Sequence, residues 1–186
     1  MTDQDSEDEG SLLRPPPPAP YRLPAAVLML PRTALERTLA VFKSTTARRI
    51  EACCFWYGVR SDDGGGTVLG VVVPKQRNTW GNYFVTAAAV AEMAAATRPK
   101  KWVNLVQVHT HPGANVEHSR YDDLNANSRR ALSVVIPFYG RWKGPWPTGL
   151  GIHDYQGDYW HLLTDADAEK RLVVAEAGDA ELLDLR

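Results

Sequence analysis

The chain has 186 residues, 44% of them apolar and 23% charged, enough for one domain with a sizeable core. Its formal net charge is −1, which offers no general attraction to nucleic acid or to an anionic membrane. The two cysteines, Cys53 and Cys54, are adjacent, so a disulfide framework is excluded and a reducing compartment is expected.

Residues 1–20 open on the acidic "MTDQDSEDEG" and run into "RPPPPAP". They are expected to form a disordered acidic, proline-rich tail, because they cannot bury enough apolar surface to offset the entropy of ordering. The start lacks the basic and apolar regions of a signal peptide, and "AAVLML" is too short to span a bilayer. A soluble, cytoplasmic protein is expected.

Residues 21–186 are expected to form a single domain. "AAVLML" reads as a short buried strand. "RTALERTLAVFKSTTARR" repeats Leu35, Leu39 and Phe42 at helical spacing, with Thr33 as its expected cap. "IEACCFWYGVR" and "TVLGVVVPKQ" read as strands joined through "SDDGGG". That loop lacks the lysine and hydroxyl residue of a phosphate-binding loop. "VTAAAVAEMAAATR" is helical and "KWVNLVQVHTH" alternates as a strand. A short helix is expected from Ser119, then the buried strand "ALSVVIPFYG", then a hairpin turning at "YQGD". The last 22 residues are mixed in character. Interleaved helices, strands and hairpins predict an α/β (α+β) fold with a mixed central sheet flanked by helices.

The chemistry concentrates in "VHTHPGANVEHSRYDD", residues 108–123. On an extended backbone His109 and His111 face the same side, roughly 6.5 Å apart, and can converge on one metal ion. Pro112 takes the chain out of the sheet. Asp122, on the first turn of the expected helix, could be a third ligand, leaving the open position of a catalytic zinc. "SRYD" also fits a capping box, in which Ser119 and Asp122 satisfy free amides, so two roles compete for Asp122. Glu51, at the head of an apolar segment, is a candidate general base; the plain alternative is a strand-end glutamate facing water. Glu117, His118 and Asp123 are out of register with the ligand pattern.

A glutamate on an early strand, then His-x-His-Pro, then Ser and Asp at this spacing, resembles the JAMM motif of the MPN-positive metalloprotease family. The motif reads here as Glu51, "HTHP" at 109–112, Ser119 and Asp122, and the resemblance covers roughly residues 25–165. It implies an MPN domain with cytidine-deaminase-like layering. It implies one zinc ion on His109, His111 and Asp122, Glu51 as general base and proton donor, and Ser119 as a donor to the tetrahedral intermediate. It also implies isopeptidase action on a ubiquitin-like protein or its conjugates, in the style of bacterial conjugation operons, including antiviral ones. Activating and conjugating enzymes of the same operon would be partners. A sulfur-carrier-processing peptidase and a non-catalytic MPN scaffold are the alternatives. Cys54 departs from the family, which often has glycine there, whereas Gly58 keeps the second glycine. Trp80 in "PKQRNTWGNYF" and Trp142 and Trp146 in "YGRWKGPWPTG" could pack on the substrate or simply anchor their loops.

Overall fold

Runs of buried apolar residues make the strands, and their pairing makes one mixed sheet. The structure is a computed structural model that describes residues 14–126 and 128–186. In chain order the elements are β1 (Leu28–Pro31), α1 (Arg32–Arg48), β2 (Cys53–Arg60), β3 (Gly66–Val73), β4 (Arg77–Asn78), β5 (Tyr83–Phe84), α2 (Ala87–Thr97), β6 (Val103–Thr110), α3 (Arg120–Asn125), β7 (Leu132–Ile136), β8 (Gly151–Gln156), β9 (Tyr159–Leu162), α4 (Asp165–Arg171), β10 (Leu172–Ala175) and β11 (Glu181–Asp184). The strand order is β10-β1-β3-β2-β6-β7-β8-β9, with β11 also on β3 and a separate β4–β5 pair. β6 and β7 are parallel, whereas β2 runs antiparallel to both β3 and β6.

The period of two in β2 divides the core between the two faces of the sheet. Cys54 and Trp56 pack with Leu35 and Phe42 of α1, and Cys53 and Phe55 pack with Tyr83 and with Met93 of α2. The mixed α+β expectation, a sheet flanked by helices, therefore holds. The Trp56 indole N–H donates to Thr38 Oγ1 (2.7 Å), so a buried polar group on this face is satisfied. Gly58 is needed where it stands, because a Cβ there would collide with the Thr67 carbonyl oxygen across the β2–β3 pair.

Three sequence expectations shift. Pro31, with no side-chain cap, occupies the N-cap of α1, and Thr33 Oγ1 instead accepts from the distant Ala180 N–H (3.0 Å). Residues 74–84 contain the β4–β5 pair instead of a plain connection. The mixed C-terminal stretch supplies α4 and two strands, β10 parallel to β1 and β11 parallel to β3. The acidic start, residues 1–13, lies outside the described residues. Contacts with the domain reach back beyond the expected boundary at residue 20: Arg14 donates to the Trp160 carbonyl (2.7 Å), and the Tyr159 hydroxyl donates to the Pro15 carbonyl (2.9 Å). Among the described residues no helix is long and apolar enough to cross a membrane.

Candidate metal centre

The strand register brings the first three groups together. Cys53 of β2 faces His109 of β6, and one step further Ala52 and Thr110 are linked twice. The Ala52 N–H donates to Thr110 Oγ1 and the Thr110 N–H donates to the Ala52 carbonyl, both at 3.0 Å. The next step of this antiparallel register sets Glu51 opposite His111. Glu51 itself lies just ahead of β2, whose first residue is Cys53. It is 5% exposed, so it does not face water as the plain reading would have it. Its backbone is tied to the β4–β5 segment: its N–H donates to the Thr79 carbonyl (2.8 Å), and Asn78 Nδ2 donates to its carbonyl (2.6 Å).

Pro112 ends β6, and the chain that follows is pinned to the end of β7. His111 N–H donates to the Ile136 carbonyl (2.9 Å), and Tyr139 N–H donates to the His111 carbonyl (2.7 Å). His111 Nδ1 lies 2.9 Å from the Asn115 carbonyl, which can only accept. The proton is therefore on Nδ1, and Nε2 presents its lone pair to the site, the orientation a metal-ligating imidazole needs.

Asp122 arrives from the other side. His109 Nε2 is 3.2 Å from its Oδ1, and His111 Nε2 is 3.3 Å from its Oδ2. The two Nε2 atoms are 3.2 Å apart. The two imidazole nitrogens stand close to the edge length of about 3.3–3.4 Å of a tetrahedron with metal–ligand bonds of about 2.0–2.1 Å, while Asp122 turns a different oxygen toward each of them. Their chemistry, two imidazole nitrogens and a carboxylate, fits the same ion. The triad His109, His111 and Asp122 could thus hold a metal ion.

The capping box is present too. Ser119 N–H and Ser119 hydroxyl both donate to Asp122 Oδ2 (2.7 Å each), and Asp122 N–H donates to Ser119 Oγ (3.2 Å). The two roles proposed for Asp122 do not exclude each other, because a carboxylate offers several acceptor directions on two oxygens. Oδ1 serves His109 alone, while Oδ2 serves the helix start and His111.

Burial drives the charge states. Burial raises the Glu51 carboxyl to about 8, with Asp122 adding to the shift and His111 opposing it. Burial also works against ionisation of Asp122, yet His109 and His111 hold it well below the usual carboxylate range. Fully buried His109 is pushed down. For His111 burial acts in the same direction but is outweighed by Asp122, leaving it raised. The two imidazoles are thus shifted in opposite directions, the fully buried His109 down and the more accessible His111 up.

Comparison with known proteins speaks to the fold. No family model and no curated protein matches the chain in sequence. In three dimensions it is similar to the solution structure of a protein from Desulfitobacterium hafniense, with a TM-score of 0.62 at 18% identity over 81% of this chain and 94% of that one. It is also similar to the solution structure of a protein from Salinibacter ruber, with a TM-score of 0.51 at 18% identity over 70% of this chain and 84% of that one. Likeness at this identity is a likeness of fold alone.

The three tryptophans part company. Trp80 stands on the β4–β5 turn and is 76% exposed. Trp142 and Trp146 pack against the core, edge to face at 6.5 Å, and their indole N–H groups donate to the Thr148 and Leu172 carbonyls. They anchor their loop. Cys54 is buried, with its thiol pushed up to about 12 chiefly by burial, which makes it an inert packing residue.

Sequence reasoning passed over several residues around the triad. Tyr83 packs its ring 5.4 Å from that of His109 and accepts from Gln107 Nε2 (2.8 Å). His118, set aside on spacing, is buried, with Nδ1 at 3.0 Å from Asp123 Oδ1 and Nε2 at 2.8 Å from Ser133 Oγ. Its ring lies 4.0 Å from that of His153, another fully buried histidine. The signal in the sequence is density: His118 and Asp123 flank the Ser119–Asp122 pair, a position where plain solvation would be unusual. Glu117 is exposed.

Proposed function

We propose that the chain is a zinc-dependent isopeptidase or peptidase of the JAMM type, an MPN domain with cytidine-deaminase-like layering, acting in the cytoplasm on a ubiquitin-like protein or its conjugates. One observation carries this reading. His109, His111 and Asp122 converge so that one ligand atom from each lies within 4.8 Å of the others, and the buried Glu51 stands opposite His111 in the strand register. Two imidazoles and one carboxylate leave a coordination position open, the composition of a catalytic rather than a structural zinc site. Bound there, zinc would polarise the scissile carbonyl and acidify water.

The chain's own residues supply the rest. Glu51 takes the proton of the attacking water and returns it to the leaving lysine amine. Burial keeps the Glu51 carboxyl away from bulk water, and a dication bound beside it would favour the ionised, proton-accepting form near neutral pH. The Ser119 hydroxyl points at Asp122, so service to a developing oxyanion requires it to rotate toward the substrate. Trp80, on the turn next to the Glu51 backbone, is the aromatic side chain that an incoming extended tail would meet. The ubiquitin-like protein, with activating and conjugating enzymes of the same operon, completes the proposed setting.

The test is cleavage by zinc-loaded protein of a lysine-linked conjugate and of a linear precursor. Wild type should release the ubiquitin-like protein, and Glu51→Gln should release none while keeping its zinc. A Glu51→Gln variant working at near wild-type rates would remove Glu51 from the reaction. Cleavage of the linear precursor alone would turn the reading toward a processing peptidase. Zinc below about half an equivalent, with no activity after reloading, would make the chain a scaffold.

A further inference from the structure

The helix that carries Asp122 has no apolar hold on the domain. α3 is six residues long and Asp122 is its buried residue. Leu124 is 85% exposed and Tyr121 38% exposed. Short helices owe their stability to packing of an apolar face, and α3 lacks one. Its position must come from polar contacts. Those of Asp122 are the ligand contacts themselves, so the independent hold falls to the next residue, Asp123.

Each oxygen of Asp123 is held by a different anchored group. Oδ1 lies 3.0 Å from His118 Nδ1, and His118 is fixed to the sheet through Ser133 of β7 and the ring of His153 of β8. Oδ2 lies 2.8 Å from Arg14 Nε, an ion pair without an aligned N–H···O hydrogen bond. The Arg14 guanidinium also donates to the Trp160 carbonyl of β9 (2.7 Å) and stacks on the Tyr159 ring (4.0 Å). Its side chain is only 7% exposed, although it comes from the stretch whose sequence reads as a solvated tail. Arg14 is the cation that meets Asp123, as His109 and His111 meet Asp122.

We infer that Arg14 is a positioning residue for the metal centre: by clamping Asp123 from the N-terminal side, it sets α3 so that Asp122 faces His109 and His111. This rests on the metal reading of the triad. The N-terminal segment is then a working part of the site, and its docking governs how tightly the ion is held. Groups hydrogen-bonded directly to metal ligands typically cost about 10–100-fold in affinity when removed, and Arg14 acts one contact further out, so its effect falls at the low end of that range.

The experiment is a zinc titration of chelator-stripped full-length protein against a competing chromogenic chelator. Arg14→Ala should bind zinc about tenfold more weakly, and Arg14→Lys, which keeps the charge without the planar fork, should fall between. Asp123→Asn weakens both the His118 and the Arg14 contacts and should lose at least as much, and adding Arg14→Ala to it should cost little more, because the Arg14 contact is by then already weakened. A lower melting temperature for Arg14→Ala with wild-type zinc affinity would overturn the inference and leave Arg14 a structural anchor. Additive losses in the double variant would also overturn it. Wild-type protein that takes up no zinc would instead overturn the reading of the triad, and this inference with it.

Discussion

The two halves of the candidate centre are held by opposite means. His109 stands on β6, which is paired on both sides by β2 and β7, among Leu105, Val106 and Val108, all with no exposure. Hydrogen-bond ladders and apolar burial fix it, as they fix the core. Asp122 stands on a six-residue helix whose large side chains face solvent, and carboxylates and a serine hold it in place. The strand half can move only if the sheet moves. The helix half can be loosened by single polar changes that leave the sheet intact. A centre built this way has rigid imidazoles and an adjustable acid, so its metal affinity is set on the helix side.

Substitutions separate the halves. Asp122→Ala should have the largest effect, abolishing stoichiometric zinc uptake and also freeing α3, with amide exchange over 120–125 rising toward unprotected rates while β6 stays protected. Retained zinc in that variant would leave Asp122 a helix cap and nothing more. Leu105→Ala should do the reverse. It should cost about 2–5 kcal/mol of global stability in a denaturant titration and leave the local exchange of α3 unchanged until the whole domain unfolds.

Glu51 gives a pH test of the same contrast in chelator-stripped protein. Its carboxyl is raised from 4.5 to about 8 in the folded state, mainly by burial. Below about pH 4.5 it is protonated in both states and contributes no difference. Between that pH and about 8 the unfolded chain loses the proton while the native chain keeps it, so stability falls as pH rises, and above 8 the deficit is constant. Glu51→Gln should therefore be more stable than wild type at pH 8, by on the order of a few kcal/mol, with the gap closing toward pH 4.5. A gap independent of pH would mean that the carboxyl is not buried in solution. The smallest effect belongs to Ser119→Ala, at about 1 kcal/mol for a lost cap, read as faster exchange confined to α3.

Local pattern carried much of this architecture. The alternation in "KWVNLVQVHTH" marks β6, and "YQGD" marks the β8–β9 turn, where Gly157 and Asp158 both have positive φ. The candidate ligand pattern and the helix cap were both readable at Asp122, and the structure shows one carboxylate both closing the capping box and contacting His109 and His111. Distant partners were not readable. Thr33 looks like a cap from its neighbours, but Ala180 takes its hydroxyl. β10 and β11 are short and find parallel partners in β1 and β3, pairings that leave no turn signal between them. His118 fails as a ligand on spacing, and its burial depends on Ser133 and His153, which arrive from later strands. Arg14 follows the same rule more sharply, since its partners lie more than a hundred residues away.

The bulge in β2 has a consequence for how the chain can vary in length. The β2–β6 register shifts between Trp56 and Tyr57, so the stretch from Trp56 back to Glu51 runs in one uninterrupted phase with His109 and His111. An added or deleted residue within 51–56 would turn the carboxyl to the opposite face of the sheet. At the far end of the strand, beyond the bulge, residues 61–64 of the β2–β3 loop lie on the surface and their number has no bearing on that phase. Insertions should accumulate there, and the segment ahead of the bulge should keep a constant length.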